Sequence, residues 1–346
     1  MKVFGQHYRT IWMEGQKVSL IDQNLLPFQF KIIHAEDYQT TIQYIKNMNV
    51  RGAGAIGAAA AFAMAQAIME APETGFNEYV SLARNQIESS RPTAKNLFRS
   101  TERIFQSLNI SKAFAIQEAQ AIARENEEDA IKIGEYGASL INDGYRILTH
   151  CNAGWLGFVD YGSALSPVYK AFEQGKNIFV YVDETRPRNQ GAKLTAWELY
   201  HAGIRHRIIA DNAAAHFMSL GKIDMVITGA DRVAINGDTA NKIGTLAKAI
   251  AAKEFGIPFY IAVPGSSIDT SMQNGAAIEI EERNEDELLY STGADKNGNI
   301  TEIKTANPGS GALNPAFDVT PAKFITAFIT EKGIIKPDEL KNVFYL

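Results

Sequence analysis

The sequence predicts an α/β protein in two parts, a mostly helical N-terminal domain followed by a Rossmann-like parallel-sheet domain. Three observations predict it. From about residue 36 to 140 apolar residues recur at helical spacing, in alanine-rich and amphipathic segments. After Asp143-Gly144 the pattern changes to short apolar runs: "YRILTHC", "NIFVYVDE", "HRIIAD", "DMVITGAD" and "PFYIAV". Helical stretches lie between these runs and several end at glycine, which makes repeated βα units and therefore a parallel sheet.

Taken in order, "TIWMEGQKVSLIDQ" reads as a short hairpin turning at Gly15. "AEDYQTTIQYIKNMNV" places Ile42, Tyr44, Ile45 and Met48 at helical spacing, and "AIGAAAAFAMAQAIME" continues as a second helix with no breaker. "APETGFNEYVSLARNQIESS" contains acids but no β-branched run. "SKAFAIQEAQAIARENEEDAIKIGEYGASLI" reads as one or two helices. The seam is expected between residues 125 and 143, giving domains 1–130 and 131–346.

At 346 residues the chain is long enough for two domains and a full core. Its 46% hydrophobic and 21% charged content are those of an ordinary globular protein. A net charge of −5 offers no basic footprint for nucleic acid or an anionic membrane. No apolar run approaches the roughly 20 residues of a membrane span, and "MKVFGQHYRTIWMEG" lacks a signal-peptide core, so a cytoplasmic location is expected. One cysteine excludes an intramolecular disulfide and a multi-cysteine zinc site. The six histidines form no H-E-x-x-H, and no metal is expected.

Residues 50–61, "VRGAGAIGAAAA", match G-x-G-x-x-G through Gly52, Gly54 and Gly57. A dinucleotide site needs a buried strand before the glycines and an acidic residue ending a second strand about 20 positions on. Neither is present. Two readings remain open. Arg51 beside a helix N-terminus would favour an anion, with the glycines letting backbone approach a phosphate. Alternatively, the small residues serve a close helix–helix crossing.

In an open parallel sheet ligands bind beyond the carboxyl ends of the strands. The residues just past the apolar runs are Cys151-Asn152-Ala153-Gly154, Asp183-Glu184-Thr185-Arg186, Asp211-Asn212 and Gly229-Ala230-Asp231-Arg232. Four polar strand ends on one rim make a candidate site. Each member also has a plainer reading. Cys151 is otherwise a small buried hydrophobe, and Asp231 a loop cap or a partner of Arg232. Asp211-Asn212 would cap the following helix, while Asp183 and Glu184 would pair with Arg186. "SSRPTAKNLFRS" sets Arg91 before a helix start, and "NGDTANKIGT" brings Asn241 and Lys242 to a helix N-terminus.

Together these segments resemble the methylthioribose-1-phosphate isomerase family, whose members are related to the regulatory subunits of an initiation factor that exchanges guanine nucleotide on its partner. The resemblance runs from about Trp12 to Lys332. It rests on "VRGAGAIG", "RPTAKNL", "LTHCNAG", "DETRPRNQGAKLTAWEL", "DNAAAHFM", "GADRVAINGDTANKIGT" and "NPAFDVTPAKFITAFITEKGI". It implies a homodimer with the site between domains, a small sugar-phosphate substrate and no cofactor. By resemblance Arg51, Gly52, Ala53, Arg91, Gln190, Asn241 and Lys242 meet the substrate phosphate, and Cys151 and Asp231 occupy the catalytic positions. A dry site would keep Asp231 protonated as a general acid.

The chain departs from the family at several places. Gly54 stands where proline is usual, Trp155, Phe158 and Asp160 stand where smaller residues are common, "VPGSSID" is a loose match, and 291–312 is longer than usual. Trp155 is expected to line the pocket, leaving 5-deoxyribose 1-phosphate and ribose 1,5-bisphosphate as alternative substrates. A non-catalytic regulatory subunit is the rival reading; such relatives generally lack the cysteine and aspartate together, and this chain has both.

Overall fold

The computed structural model describes residues 1–108 and 111–344. Its internal contacts divide the chain into two units. The first comprises Met1–Asn24, Phe30–Ile131 and Gly154–Gly162, and the second Leu25–Gln29, Lys132–Ala153 and Ser163–Leu346. The division falls inside one long helix, Lys112–Ala138, and the stretches 25–29 and 154–162 each join the unit opposite to their chain neighbours.

The first unit is built around the helix Ala53–Glu70. Alanine favours helix and carries little bulk, so other elements approach it from all sides. Residues from Gly54 to Ile68 are all buried, as befits a helix apolar around its whole circumference. This helix is long and apolar enough to cross a membrane by length and composition, yet 83% of it is buried inside the fold, the environment of a core helix. Its one interior polar side chain, Gln66, donates to Gln16 O and Ala35 O at 2.9 Å and accepts from the Thr41 hydroxyl at 2.7 Å. Helices Tyr38–Lys46, Phe76–Glu88 and Lys95–Ser107 pack against it. The predicted hairpin is present as Ile11–Glu14 and Lys17–Ile21, and Ile32–Ala35 adds a third antiparallel strand.

The second unit holds a seven-stranded sheet in the spatial order Gly333–Ile335, Ala327–Thr330, Phe259–Ala262, Met225–Thr228, Arg146–Thr149, Phe179–Asp183, His206–Ile209. All neighbours run parallel except Gly333–Ile335, which returns antiparallel along Ala327–Thr330. All five apolar runs read as strands are in this sheet. Chain order runs outward from Arg146–Thr149 to one side, then restarts at Met225–Thr228 on its other side. That reversal is the topological switch point of the sheet, the expected position of a ligand crevice.

A second sheet in the same unit pairs Ile268–Asp269, Arg232–Ala234, Thr239–Lys242 and Phe317–Thr320 in that order. It corrects the placement of Asn241 and Lys242. They end a strand, not start a helix, because 232–242 folds as a hairpin with Arg232 opposite Ala240 and Gly237 at φ +90°. The helix begins at Thr245, after Gly244. The longer segment 291–312 contains most of a two-stranded hairpin, Tyr290–Ala294 with Ile300–Lys304.

Candidate active site

In the first unit the glycine run serves the close crossing of packed elements. A Cβ on Gly57 would sit 3.3 Å from Ser100 Oγ, at the crossing with the Lys95–Ser107 helix. Gly52 has φ +86°, and a Cβ there would lie 2.4 Å from Gly157 Cα, so two backbones meet where no side chain fits. A Cβ on Gly54 would lie 2.5 Å from Asn126 Nδ2 and 2.7 Å from Phe158 Cδ1. The run nevertheless ends a loop at the start of an 18-residue helix whose first turn carries no acid. The first N–H groups of a helix have no partner within it, and Arg51, largely buried, immediately precedes them. Arg91 is half-buried in the turn that leads to Lys95–Ser107, with Ala94 N–H donating to Arg91 O at 3.0 Å.

The residues after Cys151 do not act as expected. Trp155 is 1% exposed and Phe158 5%, and both rings are packed in the first unit rather than lining an open pocket. The Trp155 carbonyl accepts from the Thr10 hydroxyl at 2.7 Å. Asp160 is fully buried and bonded to His7 Nε2 at 2.7 Å. Bulk at 155, 158 and 160 is therefore spent on internal packing.

In the second unit Cys151 and Asp231 lie beyond Arg146–Thr149 and Met225–Thr228, the two neighbouring strands at the switch point. Cys151 has φ +64°, a left-handed conformation costly for a residue with a side chain. Two threonines hold it there. Thr185 Oγ1 accepts the Cys151 N–H at 2.9 Å, and Thr195 Oγ1 donates to the Cys151 carbonyl at 2.7 Å. Thr185 is itself at φ +64°. Asp211 fixes it by accepting Thr185 N–H at 2.7 Å and Arg186 N–H at 2.6 Å. Asp211 thus clamps the loop of the neighbouring strand instead of capping its own helix.

Arg186 does not pair with Asp183 or Glu184 as the plainer reading had it. Its guanidinium donates to Leu288 O at 3.0 Å and Ser291 Oγ at 3.2 Å, tying the loop to the base of the 290–304 hairpin. Gly191 closes the same loop, since a Cβ there would fall 1.7 Å from Asp183 O.

Behind Cys151 lies a buried charge cluster that the sequence reading missed. Asp183 Oδ2 receives His150 Nδ1 at 2.9 Å and Lys248 Nζ at 3.1 Å, and all three side chains are buried. His150 Nε2 is 2.9 Å from Ile243 O. Both ring nitrogens face acceptors. His150, Asp183 and Asp211 also bring potential metal-ligand atoms within 4.8 Å of one another. The Lys248 ammonium supplies positive charge to Asp183 Oδ2, and both Asp211 oxygens accept backbone N–H groups. Adjacency of His150 to Cys151 was the available signal; Lys248 follows no strand and gave none.

Asp231 is exposed, whereas a dry environment was expected for it. Lys242 is buried, donates to Ala316 O at 2.8 Å and lies 4.9 Å over the Phe317 ring. Burial pushes its ammonium below the ordinary lysine range, Arg283 adds to that, and Cys151 and Asp231 oppose it. Cys151 and Asp231 therefore lie near enough to act on the Lys242 ammonium. Asn241 Nδ2 donates to Thr245 Oγ1 at 2.9 Å. Gln190 is 5% exposed, and its side-chain carbonyl has no hydrogen-bond partner among the described residues. Of the nine sequence-derived site residues, Arg51, Gly52, Ala53 and Arg91 belong to the first unit and the other five to the second.

The profile of the Initiation factor 2 subunit family matches residues 49–337. A methylthioribose-1-phosphate isomerase of Methylocella silvestris is 44% identical over 353 residues, covering 97% of this chain and 96% of that protein. The crystal structure of 5-methylthioribose 1-phosphate isomerase from Pyrococcus horikoshii OT3 superposes with a TM-score of 0.87 at 38% identity, covering 98% of this chain and 96% of that one. The structure of translation initiation factor eIF-2B, subunit delta, from A. fulgidus gives a TM-score of 0.86 at 38% identity, covering 98% of this chain and 100% of that one.

Proposed function

The chain belongs to the Initiation factor 2 subunit family, and from that membership we propose that it is an aldose–ketose isomerase converting 5-methylthioribose 1-phosphate to 5-methylthioribulose 1-phosphate. The 44% identity to a protein of that name, over 97% of this chain, carries the reading. Its site is supported by one observation above the others: a cysteine and an aspartate follow adjacent strands at the switch point of a parallel sheet.

An aldose 1-phosphate is blocked at its anomeric oxygen and cannot open freely to an aldehyde. Asp231 is assigned as the acid that gives a proton to the ring oxygen as the C1–O bond breaks. An exposed carboxyl needs the bound substrate to exclude water before it can hold that proton. Cys151 is assigned to the transfer of hydrogen from C2 to C1. As thiolate it would remove the C2 proton and leave an enol that is reprotonated at C1, or it would support a direct hydride shift. In either route the C2 hydroxyl proton departs as the ketone forms, so no net redox occurs and no cofactor is required.

Arg51, Gly52, Ala53, Arg91, Gln190, Asn241 and Lys242 are assigned to the phosphate, by charge and by backbone N–H groups. The functional form is proposed to be a cytoplasmic homodimer.

The test is kcat/KM measured side by side for 5-methylthioribose 1-phosphate, 5-deoxyribose 1-phosphate and ribose 1,5-bisphosphate. The thioether compound should lead. A missing thiomethyl contact is worth about 1–3 kcal/mol, so the deoxy compound should react within roughly 10- to 200-fold. Preference for the bisphosphate, or no turnover of any of them, would overturn the reading. Cys151→Ser and Asp231→Asn should each lower turnover at least about 100-fold.

A further inference from the structure

The five-residue π-helical turn Gly191–Thr195 starts one residue after Gln190 and ends at the threonine that holds the Cys151 carbonyl. Such turns are rare and concentrate at functional sites. Lys193, within this turn, lines a cavity of about 240 Å³ together with Arg188, Asp286, Glu287, Ser291 and Glu302. None of the residues assigned to catalysis or to the phosphate lines it.

The charges around the cavity are unevenly matched. Arg188 is paired with Glu287 at 3.0 Å. Lys193 is half-buried, and among the described residues its ammonium has no ion pair or hydrogen bond; burial, then Arg188, push it below the ordinary lysine range. Asp286 and Glu302 are exposed, and neither forms an ion pair among the described residues. An unmatched cation on one partly buried element therefore shares a cavity with unmatched carboxylates at the solvent side. A simple anion would meet three carboxylates, and a simple amine would leave Lys193 uncompensated. A compound with a negative and a positive end answers both demands.

We propose that this cavity binds a small zwitterion of the α-amino-acid class, its carboxylate on Lys193 and its ammonium toward Asp286 and Glu302. Because Lys193 lies between Gln190 and Thr195, occupancy acts on the segment that supports both the proposed phosphate ligand and Cys151, which makes this an effector site.

Calorimetry on the intact protein without substrate tests the proposal independently of the isomerase reading. The probes are the common L-amino acids, with acetate and ethylamine as one-ended controls. At least one amino acid should bind at one site per chain with Kd below about 10 mM, and at least about tenfold more tightly than every control. Lys193→Gln should weaken it at least about tenfold. If that variant does not fold, the Asp286→Asn, Glu302→Gln double variant, changed only at exposed positions, should weaken it likewise. The proposal is overturned if no amino acid binds in this range, if acetate or ethylamine binds as tightly, or if binding survives substitution in a folded variant.

Discussion

Thr185 accepts the backbone N–H of Cys151 on its side-chain hydroxyl at 2.9 Å, so the loop after one strand sets the backbone after the next. Both residues sit at φ +64°, where each costs roughly 1–3 kcal/mol unless its surroundings hold it. Thr185→Val keeps the shape and removes the acceptor. Turnover should fall about 10- to 100-fold, the scale of small misplacements in an active site, and Thr185→Ser should recover most of it. Cys151 is the single cysteine, so its alkylation rate reports the same site directly and should change in the valine variant. Unchanged turnover and alkylation would show that the hydrogen bond does not position Cys151.

Arg51 and Arg91 are assigned to the phosphate, which must be held equally before and during the reaction. Arg51→Ala and Arg91→Ala should therefore mainly raise KM, with a smaller fall in kcat through lost positioning. A substrate-soaked crystal with the phosphate beyond a water's reach of both side chains would remove the assignment.

Gly54 and Phe158 occupy adjoining space, since a Cβ at 54 would lie 2.7 Å from Phe158 Cδ1. Gly54→Ala alone should destabilise by about 1–3 kcal/mol through overpacking. In a Phe158→Leu background the same change should cost distinctly less, giving a measurable coupling in a double-mutant cycle of urea unfolding. Strict additivity would mean that these two departures from the resembling family are unrelated.

Lys242 has its ammonium pushed below the ordinary value of 10.5 by burial first and Arg283 second. In the pH window between its folded-state value and 10.5 the unfolded chain binds more protons at this position than the folded one. Stability should therefore rise with pH across that window. Lys242→Met removes the titrating group, so its stability curve should lack this rise. An identical alkaline slope in both proteins would contradict the shift.

The helices and five of the parallel strands were legible because periodicity reports which face is buried, and that holds for long alanine-rich segments and short β-branched runs alike. Strand ends then located Cys151 and Asp231 without any partner information. Asn241 and Lys242 were misplaced because the helix pattern after them outweighed Asn236-Gly237, a dipeptide that favours tight hairpin turns. Trp155 was read as a pocket residue from its nearness in sequence to Cys151, whereas 154–162 packs with the first unit. The Asp183–His150–Lys248 cluster was illegible for a different reason. Its members are far apart along the chain, and only the sheet order brings them together.

That sheet order also bears on how the enzyme comes to exist. Leu148 pairs with Val226, and Tyr260 with both Ile227 and Ala327, so the sheet interior is stitched from distant stretches of chain and none of these pairings is a hairpin. Non-local pairing must close long loops before it gains contacts, which slows folding. The strands preceding Cys151 and Asp231 meet through one of these late closures. Refolding after denaturant dilution should accordingly regain helix signal well before activity, and the interval between them is when apolar strands stand open to aggregation.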